Sequence, residues 1–281
     1  MLFHYIKETR LYVKEQKKLG KSIGLVPTMG YLHQGHLSLI KKAKAENDVV
    51  VVSVFINPIQ FGPNDDFEKY PRDLQRDYNL ALDAGADLLF NPSLEEMYPE
   101  KSRSFVLVQE LTDNLCGASR PGHFQGVTTV VSKLFNIIPA DRAYFGMKDA
   151  QQVAVITQMV KDLNFDIEIV PCPIIREKDG LALSSRNVYL NNKERQSALL
   201  LSQSLGKAEE LIKQGERTAE IIVDSITSFL EKDPNCNIDY VEIVDFHTLK
   251  DLKILKNKVL IALAVKIGKT RLLDNIVMEV E

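Results

Sequence analysis

The chain opens its pattern of hydrophobic and polar positions with two apolar runs on either side of an amphipathic stretch. Residues 22–27 are short, apolar and stopped by Pro27, while 49–57 is a continuous run rich in β-branched residues. Uninterrupted apolar runs of strand length predict strands covered on both faces, as in a parallel sheet. Between them, Leu37, Ile40 and Ala43 recur at helical spacing with Lys41, Lys42 and Lys44 turned toward water, which predicts a helix. Strand, helix and strand within about 35 residues make a βαβ unit, right-handed by the usual rule.

The alternation continues downstream. The residues before Gly85 predict a helix and 87–90 a strand. Further along, 126–138 predicts a helix, 141–146 a strand, 149–163 a helix and 165–176 a strand. This is the pattern of a doubly wound, Rossmann-like α/β sheet, whose ligands collect at the carboxyl ends of its strands. Beyond 178 the character changes: two amphipathic helices precede three strands, predicting a smaller α+β domain. The division expected is 1–178 and 179–281, within the turn-rich stretch 176–186.

Composition narrows the class. With 281 residues the chain has room for two cores. Hydrophobic residues at 45% and charged residues at 26% are ordinary for a globular protein. A net charge of −3 and a pI near 6.0 argue against general affinity for nucleic acid or an anionic membrane. No apolar run approaches the roughly 18 residues of a membrane span. The first residues lack the basic, apolar and small-residue succession of a secretion signal. Three dispersed cysteines, Cys116, Cys172 and Cys236, are neither a disulfide framework nor a zinc pattern. Reduced thiols in a cytoplasm are the expectation.

The chemistry concentrates at strand ends. Gly30, His33, Gly35 and His36 fall where the first βαβ strand passes into its helix. Orphan N–H groups and the positive end of the dipole suit a phosphate there. Histidines three apart can point the same way and donate to phosphate oxygens. A helix start with incidental histidines is the alternative. Asn57 and Gln60 follow the buried strand and can offer amides to a carboxylate or hydroxyl, or Asn57-Pro58 is a turn. Lys148 and Asp149 stand where another strand meets a helix, as phosphate cation and N-cap or as a solvated lysine and its neighbour. Ser184, Ser185 and Arg186 form either an anion-binding loop or a serine-rich capping turn. Around His123, a third anion site, a subunit contact and a plain glycine-rich loop stay open. The acidic residues Asp65, Asp66, Asp73 and Asp77 read as solvated and receive no metal.

The stretch "TMGYLHQGH" resembles the His-x-Gly-His signature of the nucleotidyltransferase superfamily. Its fuller form, preceded by Val26-Pro27, resembles the pantothenate synthetase (pantoate–β-alanine ligase) family. Four further blocks, at 52–72, 116–138, 143–152 and 179–190, match that family in order, so the resemblance spans nearly the whole chain. It implies an ATP-dependent ligase that joins pantoate to β-alanine through a pantoyl adenylate. ATP would be contacted by Met29, Gly30, Tyr31, Leu32, His33, Gln34, Gly35 and His36. Gly146, Met147, Lys148, Asp149 and Ile175 would follow, with Leu183, Ser184, Ser185 and Arg186 in the place of the synthetases' mobile lysine-containing loop. Gln60 and Gln152, with Asn57, would hold pantoate and β-alanine, while His33, His36, Lys148 and Arg186 act on the phosphates. The resemblance further implies Mg²⁺ held by the ATP phosphates, a homodimer, and a cleft closed by the C-terminal domain. His36 is the expected acid/base group. A phosphate-accepting nucleotidyltransferase and a non-catalytic nucleotide-binding protein are the competing classes.

Overall fold

The computed structural model describes residues 1–63 and 65–281, which form two compact units. The first takes in Met1–Val108, Pro121–Met147 and Gln152–Ile175; the second takes in Gln109–Arg120, Lys148–Gln151 and Arg176–Glu281.

The first unit is built on strands β1 (Leu2–Phe3), β2 (Ile23–Thr28), β3 (Val49–Val54), β4 (Leu88–Phe90), β5 (Arg142–Gly146) and β6 (Glu168–Cys172). All pairings are parallel, in the order β1-β4-β3-β2-β5-β6. Every residue of β3 is buried, as its β-branched run requires. The connecting helices are α1 (Ile6–Lys18), α2 (Gln34–Glu46), α3 (Leu74–Asp83), the single turn α4 (Leu94–Met97), α6 (His123–Ile137) and α7 (Ala150–Asp162); α5 (Leu115–Ser119) lies in the other unit. From β2 the chain winds outward to β3 and β4, whereas β5 and β6 lie on its opposite side. The order therefore reverses between β2 and β5, and open α/β sheets bind ligands outside the carboxyl ends at such a point.

Three boundaries differ from the sequence pattern. The strand expected over 49–57 stops at Val54, because the chain turns into a short 3₁₀ segment, Pro58–Gln60. The strand expected over 165–176 shortens to Glu168–Cys172 and keeps Pro171, which an edge strand such as β6 tolerates. Helix α6 begins at His123, three residues early, because Gly122 takes φ 81° and turns the chain into it.

The second unit contains an antiparallel sheet, β7 (Cys236–Asp245), β8 (Asn257–Ile267) and β9 (Thr270–Val280), in that order. Helices α8 (Asn192–Lys213) and α9 (Ala219–Leu230) pack Leu201, Leu205, Ile222 and Ile226 against Ile261, Leu263 and Val265. Asn191 and Glu194 form a capping box that starts α8. The segment Gln109–Arg120, which a division by chain position leaves with the first domain, belongs here. Asn114 donates to the Leu249 carbonyl at 2.9 Å, the Leu115 N–H donates to Glu242 at 3.1 Å, and Ser119 donates to Asp239 at 2.6 Å. No helix among the described residues is long and apolar enough to cross a membrane.

Candidate active site

In the first unit, the chain leaves β2 through a turn that requires left-handed backbone at two successive residues, Gly30 (φ 86°) and Tyr31 (φ 51°). Glycine adopts this conformation without penalty; tyrosine does not. The turn is held by Asp77 of α3. Its carboxylate, 1% exposed, accepts the N–H groups of Tyr31 at 2.6 Å and Leu32 at 2.7 Å. Arg76 adds an ion pair to Asp77 at 3.5 Å and lies over the Tyr31 ring at 4.8 Å. Burial holds the Asp77 carboxyl above its ordinary range, against the opposing pull of the two N–H bonds and Arg76. The expectation that Asp77 is solvated is therefore wrong. Asp73, exposed, does cap α3 by accepting the Arg76 N–H at 3.1 Å.

The turn delivers the histidines to the start of α2. His33 is the N-cap, and its Nδ1 accepts the Gly35 N–H at 3.1 Å. His36 reciprocates at N3, its Nδ1 accepting the His33 N–H at 3.3 Å. Accepting a backbone N–H at Nδ1 places the ring proton on Nε2 in both residues. The rings lie 4.1 Å apart, tilted by 39°. This alters the sequence expectation in two respects. Part of the helix N-terminus is already satisfied by His33, so the donors it presents include the ring Nε2–H groups. His36, the expected acid/base group, has its Nδ1 engaged by the His33 N–H, which fits a donor at Nε2.

Gln60, 8% exposed, is oriented from behind. Asn57, 1% exposed, donates to Gln60 Oε1 at 3.2 Å and to the Gly126 carbonyl at 3.0 Å, while its own oxygen accepts from Tyr98 at 2.8 Å. Both Asn57 amide hydrogens are thereby used inside the protein. Asn57 thus holds Gln60 from behind. Burial pushes the Tyr98 hydroxyl up to about 12, so it stays a donor at neutral pH. With its oxygen held inward, the Gln60 amide turns its NH₂ the other way, where Nε2 donates to Met29 Sδ at 3.1 Å. A thioether is a weak acceptor that a carboxylate displaces readily. His123 Nδ1 meets the Gln60 carbonyl at 2.8 Å, so His123 supports this turn. Gly126 is obligatory, since a Cβ there would lie 2.5 Å from Gln60 Cα. Gln152, on α7 in the same unit, and Gly146, ending β5, complete this part of the assigned set.

Met147–Asp149 form a 3₁₀ turn; its Lys148 belongs to the second unit, where the Lys148 carbonyl accepts from Asn275 at 2.8 Å. Ser184 caps a 3₁₀ turn, Ser185–Tyr189, by accepting the Arg186 N–H at 3.3 Å, and Ser185 is buried. The capping alternative for these serines thus applies to Arg186's own turn, while α8 is capped by Asn191. Among the described residues, no group of three or more His, Cys, Asp or Glu could hold a metal ion. Asp77, Tyr98 and the Asn275 contact escaped the sequence reading, since nothing local marks a polar residue whose partner lies tens of positions away.

Fold and geometry define a class: a doubly wound α/β unit with a histidine-capped helix at the carboxyl end of β2, joined to an α+β unit. The pantoate-beta-alanine ligase family model matches residues 1–277. Pantothenate synthetase of Acetivibrio thermocellus is 58% identical over 275 residues, 98% of either chain. Pantothenate synthetase from Thermus thermophilus superposes with a TM-score of 0.93 at 44% identity, covering 98% of both chains. Pantoate-beta-alanine ligase from Francisella tularensis, solved with beta-gamma ATP and beta-alanine, gives 0.80 at 39% identity over 98% of this chain and 97% of that one. The chain belongs to the pantoate–β-alanine ligase family.

Proposed function

We propose that the chain condenses pantoate with β-alanine in two steps, with ATP cleaved to AMP and pyrophosphate. The observation that carries the reading is the family match along residues 1–277, joined to a turn that sets two imidazoles side by side at one helix start. A carboxylate is a poor acyl donor, because its leaving group would be oxide. An oxygen of the pantoate carboxylate therefore attacks the α-phosphorus in line, and the α–β phosphoryl bridge breaks to release pyrophosphate. The β-alanine nitrogen next attacks the acyl carbon; the bond to AMP breaks and the amine gives up a proton.

Gln60, through its outward NH₂, and Gln152 orient the pantoate carboxylate. His33 and His36 donate Nε2–H to phosphoryl oxygens as charge builds on them, and Lys148 and Arg186 supply positive charge. Backbone at Met29–Leu32, Gln34–Gly35 and Gly146–Asp149, together with Ile175 and Leu183–Ser185, contacts the nucleotide. Mg²⁺ carried on the ATP phosphates would neutralise part of their charge. A homodimer and a cytoplasmic location complete the reading.

Pantoate-dependent exchange of labelled pyrophosphate into ATP, without β-alanine, tests it. Exchange is expected, and ¹⁸O from the pantoate carboxylate should appear in AMP. Label in inorganic phosphate would mean an acyl phosphate route and overturn the adenylate. No exchange would remove the two-step mechanism.

A further inference from the structure

Strand β9 carries two adjacent buried polar residues, Asp274 at 2% and Asn275 at 3% exposure. Neighbouring side chains of a strand leave opposite faces. Even-numbered Leu272 and Ile276 pack toward α8 and α9, so Asp274 shares their face; Asn275 shares the face of Arg271, which bonds Ser119 at the end of α5. Asp274 receives both arms of Arg176, at 2.6 and 2.9 Å. Arg176 closes a short hairpin by its bridge to Ala182 and a bond from Nη1 to the Gly180 carbonyl at 3.1 Å. That hairpin runs directly into Leu183–Arg186, and Asn187 returns a bond to the Ala182 carbonyl at 3.1 Å. On the other face, Asn275 donates to the Lys148 carbonyl at 2.8 Å.

We infer that Asp274 and Asn275 are positioning residues that fix the Lys148 turn and the base of the Ser184–Arg186 loop in a single frame. The inference rests on the phosphate roles given above to Lys148 and Arg186. Burying a carboxylate costs stability unless it is paired, and an apolar pair of similar size fills a strand as well. What the polar pair adds is geometry: two cationic elements far apart in the chain are set relative to one strand. Charge stabilisation of a phosphoryl transition state depends on that setting, because displacements near 1 Å are felt in rate more than in binding.

The test crosses each positioning variant with its target, using the full chain and pantoate-dependent pyrophosphate exchange. Asn275→Ala should lower kcat about 10- to 100-fold, with KM for pantoate held, since Gln60 and Gln152 are untouched. In a Lys148→Ala background the same change should cost less than about 3-fold, because residues acting as a unit are non-additive. Asp274→Asn should behave likewise against Arg186→Ala. A full, multiplicative loss in both backgrounds would mark a general structural role and overturn the inference, as would wild-type kcat in Asn275→Ala. If Lys148→Ala and Arg186→Ala themselves leave exchange intact, the phosphate roles fall, and the inference with them. If they cripple exchange while the β9 variants are silent, only the inference falls. Should Asn275→Ala melt below the assay temperature, the near-isosteric Asn275→Asp replaces it. Its carboxylate has no proton for the Lys148 carbonyl, so the same loss is expected and wild-type kcat would again refute.

Discussion

Replacing Asp77 with asparagine perturbs the histidine turn while touching neither histidine. The amide keeps the shape but has one oxygen, so of the N–H groups now at 2.6 and 2.7 Å one meets an NH₂ instead. A hydrogen bond to a charged group contributes about 1.5–3 kcal/mol, and a buried donor without an acceptor costs about 1–3 kcal/mol. Against these stands the desolvation that raises the Asp77 carboxyl, which a neutral amide escapes. The net expectation is a loss of about 2 kcal/mol, or a fall of roughly 4–8 °C in Tm. The left-handed Tyr31 backbone, itself strained by about 1–2 kcal/mol, then relaxes and carries the His33 cap with it. A shift near 1 Å at the rings predicts a loss of about 100-fold in pyrophosphate exchange.

The assay pairs exchange kinetics with thermal melting, and Asp73→Ala is the control. Asp73 caps the same helix through the Arg76 N–H and acts on Asp77 only as a neighbouring charge, so its loss should cost about 1 kcal/mol of stability and leave exchange unchanged. Asp77→Asn with wild-type exchange would refute the claim that this carboxylate sets the histidines, whatever its melting temperature. Equal losses of exchange in the two variants would reduce Asp77 to a helix stabiliser.

Three shorter predictions follow. His36→Ala should lower exchange by about 100- to 1000-fold, the usual cost of one transition-state donor, while stability falls by about 1 kcal/mol for the lost capping bond; turnover near wild type would remove His36 from the mechanism. Gly126→Ala forces a Cβ to 2.5 Å from Gln60 Cα, so KM for pantoate should rise at least about 10-fold with KM for ATP held, and an unchanged pantoate KM would separate Gln60 from that substrate. Burial pushes the Cys172 thiol up to about 11. The thiolate is therefore about one part in a thousand at pH 8, and iodoacetamide should leave Cys172 unlabelled in the native chain, whereas prompt labelling would show the site to be open.

The parallel sheet was legible because burial on both faces writes itself as unbroken β-branched runs, as in Val49–Val54. The C-terminal helices were legible through their apolar stripes. Helix α1 left no such trace, burying only Thr9 and Val13, and β1 is two residues long. The membership of Gln109–Arg120 in the second unit rests on bonds such as Asn114 to Leu249, which no local pattern announces. Among site residues, the motif positions were visible and their supports were not. Asp77 sits among acids of similar local character, such as the exposed Asp73, and the turn 45 residues away makes it a buried acceptor.

The spacing of the two histidines has a reason that neither helix periodicity nor phosphate chemistry supplies alone. A separation of three is the N-cap-to-N3 spacing of a capping box, in which each side chain accepts the other's backbone N–H. A serine and a glutamate would cap α2 equally well, but the glutamate would bring negative charge and no donor to the helix start. Imidazole has a second nitrogen, so the same exchange that satisfies the helix start fixes the tautomer, with the ring proton on Nε2. One device thus closes the helix and arms it. Because both Nδ1 lone pairs receive backbone N–H groups, we propose that the proton of the β-alanine amine goes to solvent or to groups outside the histidine pair.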